Sequence, residues 1–276
     1  MVRIILKIFL FLILLSALIF AAGCRNDLLG LFFSSDLDER LKEKDNFVFL
    51  TESDRIPSPP FGTEYSFMVL AETHIENSNT HGFEKLKDAI DGSIRFVIVL
   101  GDITQNGSEQ DLKKFIEIAD DMGVPCYPVI GNHDIYFGNW KAWKENIGST
   151  SYRIDGGGTT LFILDSANSF FGKEQLDWLQ RELANTRGYV FVFTHANLFV
   201  RGPAEMQQLT DIRERARITS ILRNKCDIMF MGHSHIRHIN EAGNVRYITV
   251  EDFKESQTYC LVSVKPTGIT YEFKKL

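Results

Sequence analysis

Positive charge is in short supply in this 276-residue chain: 30 Lys and Arg face 36 Asp and Glu, for a formal net charge of −6 at pH 7. Nucleic-acid backbones are held mostly by lysine and arginine neutralising phosphates, so the composition disfavours a polymeric nucleic-acid partner. A small anionic ligand held through bound cations stays open, because a cation reverses the local electrostatics. Cysteine is scarce as well, with four in all. Cys24 closes an amino-terminal apolar segment, and the other three, Cys126, Cys226 and Cys260, lie in or beside apolar runs. An odd remainder argues against a disulfide framework and for buried free thiols. There is no repeat of about 20 to 50 residues, which excludes solenoids and propellers. The glycine run in Asp155-Gly156-Gly157-Gly158 is not followed by Lys-Ser/Thr, so it reads as a hairpin turn and not a phosphate cradle.

The amino terminus has the layout of a secretory signal: Arg3 and Lys7, an apolar stretch from Ile8 to Phe20, then Ala21-Ala22-Gly23-Cys24. Its end resembles a bacterial lipobox, which implies a lipidated Cys24 as the first mature residue; an uncleaved membrane anchor is the alternative. Either reading tethers the chain at a membrane with its folded part outside the cytoplasm. Loss of Arg3 and Lys7 with that segment takes the formal charge from −6 to −8. The expected organisation is a signal or anchor over 1–23, a tether over 24–62 and a folded domain over 63–276. Within the tether, Asp36 to Asp45 suits a short solvated helix, Phe47 to Leu50 a strand, and Pro57-Ser58-Pro59-Pro60 a stiff break.

Hydrophobic residues make up 44% and aromatics 12% of the chain, enough for a sizeable core. Apolar, β-prone runs at Phe67 to Ala71, Phe96 to Leu100 and Cys126 to Ile130 alternate with helical patterns at Gly82 to Asp91 and Glu109 to Met122. This is the βαβ pattern of an α/β fold with a largely parallel sheet. Helices are expected over Lys173 to Asn185 and Asp211 to Asn224, and strands over Val245 to Val250, Tyr259 to Val264 and Ile269 to Phe273. The strand-rich end predicts a second sheet packed on the first, with helices outside.

Five polar clusters each follow an apolar run: Glu72-Thr73-His74, Gly101-Asp102, Gly131-Asn132-His133-Asp134, Thr194-His195 and Gly232-His233-Ser234-His235. Strand ends in open α/β sheets share one edge, so these clusters are expected to meet. Together they supply carboxylate, amide and imidazole, the ligand types of a site for two metal ions. His81 and His238 belong to no cluster and are expected in solvent-facing loops. Tyr136, Phe137, Trp140 and Trp143 follow the third cluster closely enough to line a cleft, or else to pack a helix on the core.

In order and in spacing the five clusters resemble the motif set of the calcineurin-like metallophosphoesterases, over about Tyr65 to His235, with further similarity in Leu164-Asp165-Ser166 and Glu174 to Leu179. The resemblance, nearest to compact cyclic-nucleotide-phosphodiesterase-like members, implies a four-layer αββα sandwich: two facing mixed β-sheets with a dinuclear metal site at the strand ends. It implies one metal held by Glu72, His74, Asp102 and His235, and a second by Asn132, His195 and His233 with Asp102 bridging. Mixed nitrogen and oxygen ligation suits two divalent transition-metal ions, from among Mn, Fe, Zn, Co and Ni. His133 is the implied catalytic, non-ligating histidine, with Asp134 as its catalytic partner, orienting or polarising it. One position departs from the family pattern: Glu72 stands where an aspartate is usual. The implied activity is hydrolysis of a small phosphoester, diester in preference to monoester. The alternatives are a non-catalytic, metal-containing surface lipoprotein and a tethered nuclease.

Overall fold

The structure, a computed structural model, describes residues 35–42, 46, 48–50, 64–156, 158–199, 209 and 211–276. The signal segment with Cys24 and the proline-rich break lie outside the described residues.

One sheet grows from the alternating part of the sequence. Strands β2 (Tyr65–Leu70), β3 (Ile94–Leu100) and β4 (Cys126–Val129) are parallel, and β11 (Thr258–Lys265) and β12 (Gly268–Lys275) extend them antiparallel, in the order β12-β11-β2-β3-β4. The second sheet has seven strands in the order β1-β5-β6-β7-β8-β10-β9. It comprises β1 (Val48–Leu50), β5 (Tyr152–Gly156), β6 (Thr159–Ile163), β7 (Tyr189–Phe193), β8 (Ile228–Met231), β9 (His238–Ala242) and β10 (Val245–Thr249). β6, β7, β8 and β10 run parallel, β5 pairs antiparallel with β6 across the expected hairpin, and β9 caps one edge antiparallel to β10.

Residues of the inner strands are buried on both faces because the two sheets face each other and helices cover their outer sides, whereas the edge strands β9 and β12 are largely exposed. Phe67, Val69 and Ala71 point into the core between the sheets with Phe96, Phe191, Phe193 and Phe230, whereas Met68 and Leu70 point to the helices. Phe67 stacks on Phe96 at 4.6 Å within its own sheet and meets the opposite sheet edge-on at Phe191, 5.2 Å away. The four-layer αββα arrangement is the one expected.

Among the described residues the α-helices are α1 (Leu37–Leu41), α2 (Glu109–Asp121), α3 (Trp140–Asn146), α4 (Lys173–Leu183), α5 (Ile212–Leu222) and α6 (Phe253–Ser256). Ser108 caps α2 by accepting from the Asp111 amide, and Asp211 caps α5 through the Arg213 amide. The segment expected as a helix over Gly82 to Asp91 is a 3-10 helix, Phe83–Ala89. Its two buried residues, Phe83 and Leu86, are three apart, the spacing that stacks side chains in the tighter coil.

The expectation of a solvated helix in a tether needs correction. α1 is short, and Leu37, Arg40 and Leu41 are buried on the domain, while β1 pairs in parallel with β5 as an edge strand. Arg40 has no exposed surface because both oxygens of the Asp165 carboxylate receive its guanidinium, Nε and Nη2 each at 2.8 Å. A charge pattern taken as a water-facing stripe contains one member with a buried partner 125 residues away. Two other expectations shift: His81 is half-buried, and His238 opens β9 instead of lying in a loop. Trp140 and Trp143 take the core alternative, packed under the five-stranded sheet. The three thiols in the domain are free, with Cys226 and Cys260 buried.

Candidate metal centre

All five clusters arrive at one end of the sandwich. Glu72 and His74 follow β2, Asp102 follows β3, Asn132 and His133 follow β4, His195 follows β7, and His233 and His235 follow β8. The backbone is bent hard to aim them: Glu72, His74, Asp102, His233 and His235 all have positive φ, between 44° and 69°. Left-handed backbone is unfavourable for residues with a Cβ and collects at sites where side-chain direction matters. Space is made by glycine. A Cβ on Gly131 would lie 2.2 Å from both the amide nitrogen and Oδ1 of Asp102, and one on Gly101 would lie 2.5 Å from Nδ1 of His195.

Two groups of potential ligand atoms result. Glu72, His74 and His235 form one, and Asp102, His195 and His233 the other, each with atoms within 4.8 Å of one another. In the first, Glu72 Oε2 lies 3.1 Å from His74 Nε2 and 3.2 Å from His235 Nε2. Its Oε1 accepts the His233 amide at 2.5 Å and sits 3.6 Å from His195 Nδ1, so this one carboxylate reaches toward both groups. In the second, His195 Nδ1 donates to the Leu100 carbonyl at 2.8 Å, which leaves Nε2 facing the centre. Around that Nε2 lie Asn132 Oδ1 at 2.9 Å, His233 Nδ1 at 3.0 Å and Asp102 Oδ1 at 3.4 Å.

This donor set fits a cation. Lone-pair-bearing atoms from four residues converge on one small volume, and a single imidazole proton cannot satisfy them together. Burial opposes charge on Glu72, but His195 and hydrogen bonds from His235 and His74 hold its carboxyl well below the usual range. Burial opposes charge on Asp102 too, yet His195 and His133 hold it down at about 2. Burial also works against protonation of the imidazoles; Asp102 and Glu72 nonetheless carry His195 up to about 9, and hydrogen bonds to Asp252 and Glu72 carry His235 to about 11. Burial and the His195 charge push His233 down to about 4. Two buried carboxylates thus retain protons on neighbouring imidazoles, the positive charge that divalent ions would otherwise supply.

His133 lies inside the same end of the fold, its ring edge-on to His74 at 4.8 Å and tilted against Tyr136 at 4.6 Å. Nδ1 donates to the Gln105 carbonyl at 2.8 Å, and Nε2 is 3.9 Å from Asp102 Oδ2. The expectation that Asp134 orients this ring is corrected. The Asp134 carboxylate accepts from the Thr104 amide at 2.9 Å, the Gly131 amide at 3.0 Å, the Ile103 amide at 3.3 Å and the Thr104 hydroxyl at 3.1 Å. It ties the turn after β3 to the turn after β4, and the group on the imidazole is a backbone carbonyl. Burial and the Asp102 charge push Asp134 up to about 6 against those amide donors.

Of the four aromatic residues after the third cluster, only Phe137 is exposed, at 43%. Tyr136 is buried, its hydroxyl accepting from Asn132 Nδ2 at 2.7 Å, which turns the Asn132 oxygen toward His195.

Sequence reasoning missed Gln105, which acts through its carbonyl and so carries no side-chain signal. It also missed Asp252, whose Oδ2 is 3.2 Å from His235 Nδ1. The available signal was the Asp252-x-x-Glu255 spacing of a helix start, and Asp252 does cap α6. Ser166 was read only as part of a resemblance. Its hydroxyl accepts from Thr194 Oγ1 at 2.7 Å and the Ala196 amide at 2.8 Å, bracketing His195.

The calcineurin-like phosphoesterase profile matches residues 65–237. A probable cyclic nucleotide phosphodiesterase from Fibrobacter succinogenes is 28% identical over 158 residues, 55% of this chain; the match spans 60% of that relative's length. Among solved structures, a dimetal phosphatase from Danio rerio superposes with a TM-score of 0.63 at 14% identity, over 76% of this chain and 96% of that one. A purple acid phosphatase from yellow lupin seeds superposes with a TM-score of 0.63 at 13% identity, over 79% of this chain and 52% of that one. At such identities the likeness shows a shared fold.

Proposed function

The chain belongs to the calcineurin-like phosphoesterase family, and from that premise we propose that it hydrolyses small phosphoesters, diesters in preference to monoesters, from a membrane-tethered position outside the cytoplasm. Calcineurin-like phosphoesterases use a dinuclear metal site, and the two ligand groups meeting at one end of the sandwich carry the proposal. Glu72, His74 and His235 would hold one ion and Asn132, His195 and His233 the other, with Asp102 between them. Two divalent ions, when bound, supply Lewis acidity toward a phosphoryl group and lower the pKa of water.

The chain's own residues do the rest. The Leu100 carbonyl holds His195, and the Tyr136 hydroxyl turns the Asn132 amide, so each presents one defined atom. His133, with Nδ1 engaged by the Gln105 carbonyl, has Nε2 to hold the proton that the leaving oxygen takes. Asp102 Oδ2 lies 3.9 Å from that Nε2. The diester preference is supported by the likeness to the Fibrobacter protein and by the exposed Phe137 beside Tyr136, a flat apolar surface for a second substituent on phosphorus.

The test is turnover of bis(p-nitrophenyl) phosphate and p-nitrophenyl phosphate by metal-stripped protein reloaded with Mn. The expected result is metal-dependent hydrolysis, faster with the diester, and a fall of ~10²- to 10⁴-fold in kcat for His133→Ala. A folded, metal-loaded protein that turns over neither ester would overturn the proposal. The tether is tested by membrane fractionation of Cys24→Ser, expected to release the protein if Cys24 carries lipid.

A further inference from the structure

We infer that Asp252 is a positioning residue of the candidate metal centre: it selects the tautomer and orientation of His235 and joins the carboxy-terminal part of the fold to the Glu72 turn. The inference rests on the metal-centre reading and concerns a residue beyond the 65–237 segment that matches the family profile.

His235 has two ring nitrogens and two carboxylate neighbours. Nε2 is 3.2 Å from Glu72 Oε2, inside the first ligand group, and Nδ1 is 3.2 Å from Asp252 Oδ2, outside it. An imidazole that gives its outer N–H to a carboxylate has its inner nitrogen free as a lone-pair donor, and such outer partners commonly set the affinity of a histidine ligand for its metal. His235 needs this support. Its ring is 43% exposed, with the His74 ring 5.6 Å away on one side, and its backbone sits at the strained φ of 57°.

Asp252 is itself firmly held. Its other oxygen, Oδ1, accepts from the Glu255 amide at 2.7 Å as the cap of α6. Immediately after it, the Phe253 and Lys254 amides donate to the carbonyls of Ala71 and Glu72 at 2.9 and 3.1 Å. The first turn of α6 therefore clamps the strained turn that carries Glu72, and the same residue that starts α6 braces His235. Two ligands of the first group, 163 positions apart in sequence, take their geometry from one turn after β10.

Asp252→Asn separates positioning from architecture, because asparagine also caps helices but presents an amide to the ring. In that variant the side-chain Nδ2, facing the ring, would donate to His235 Nδ1 and drive the proton to Nε2, the wrong tautomer for ligation. Two readouts are proposed: Mn binding by calorimetry, and the His235 Nδ1–H resonance in protein loaded with diamagnetic Zn. Expected are loss of that Nδ1–H signal through exchange with water and an affinity loss of ~10- to 100-fold at one of two sites, with Tm close to that of the parent. Asp252→Ser, which keeps a cap but cannot reach the ring, should show the same two losses, and it carries the test if the asparagine variant does not fold. A protected Nδ1–H and unchanged Mn affinity in a folded variant would overturn the inference while leaving the metal centre standing. A parent protein that binds no Mn would overturn both.

Discussion

At the scale of single residues, the departure at Glu72 still places a carboxylate among the candidate ligands. The position is fully buried, its φ is 59°, and its two oxygens reach His74, His235, the His233 amide and the neighbourhood of His195. A side chain one methylene longer than aspartate, by roughly 1.5 Å, reaches toward both ligand groups here. Glu72→Ala is expected to abolish binding of one of two Mn ions while Glu72→Asp keeps most turnover; two ions retained in Glu72→Ala by elemental analysis would contradict this. The imidazoles make a pH prediction of opposite sign for stability and for loading. His195 and His235 are raised from 6.5 to about 9 and about 11 in the metal-free site, so their contribution to stability is complete below pH 6.5 and is lost as pH rises through those values. His233, depressed to about 4, contributes above pH 6.5 and loses that contribution as pH falls toward 4. Metal binding must displace the protons on His195 and His235, so Mn affinity should climb from pH 6 to 9 while the Tm of the chelated protein falls. Parallel trends in the two measurements would argue against these assignments.

At the scale of elements, the loop after β6 is a junction. Arg40 from α1 grips Asp165, which also accepts the Ala167 amide at 3.1 Å; Gln175 of α4 accepts the Asp165 amide and donates to its carbonyl; the adjacent Ser166 brackets His195. An element outside the profile match thereby touches the shelf of a candidate ligand through two neighbouring residues. Removing one partner of a buried ion pair leaves the other charge desolvated, so Arg40→Met should cost about 3–5 kcal/mol in denaturant unfolding. Combining it with Asp165→Leu should recover part of that loss, since two apolar residues of similar volume need no partner. A single variant as stable as the parent would show the pair to be dispensable. The dense charges around Arg40 hid this contact at the level of sequence, because burial of one charge is decided by a carboxylate 125 residues away. The 3-10 helix over Phe83–Ala89 escaped for a related reason: its pattern of apolar residues is too short to separate a spacing of three from one of three to four.

At the scale of the whole molecule, the site depends on two sheets holding a fixed relation. Phe67 lies where they meet, stacked on Phe96 and edge-on to Phe191, Phe193 and Phe230. Phe67→Ala is expected to destabilise the protein by about 3–5 kcal/mol, read as a lower denaturation midpoint, because rigid sheets cannot collapse onto the cavity; a midpoint within error of the parent would be inconsistent with this core. The sequence alone determined the α/β class, the second sheet, most helices and the gathering of five clusters, because strand period, helix caps and cluster positions at strand ends are local properties of the chain. It determined the ligand types for the same reason. Tertiary structure decided the rest: that Asp134 braces two turns while a carbonyl holds His133, that Arg40 is interior, that Trp140 and Trp143 are core, and that Asp252 stands behind His235. Each of these is a pairing between atoms distant along the chain or backbone groups common to every residue, and only the folded arrangement chooses among the available partners.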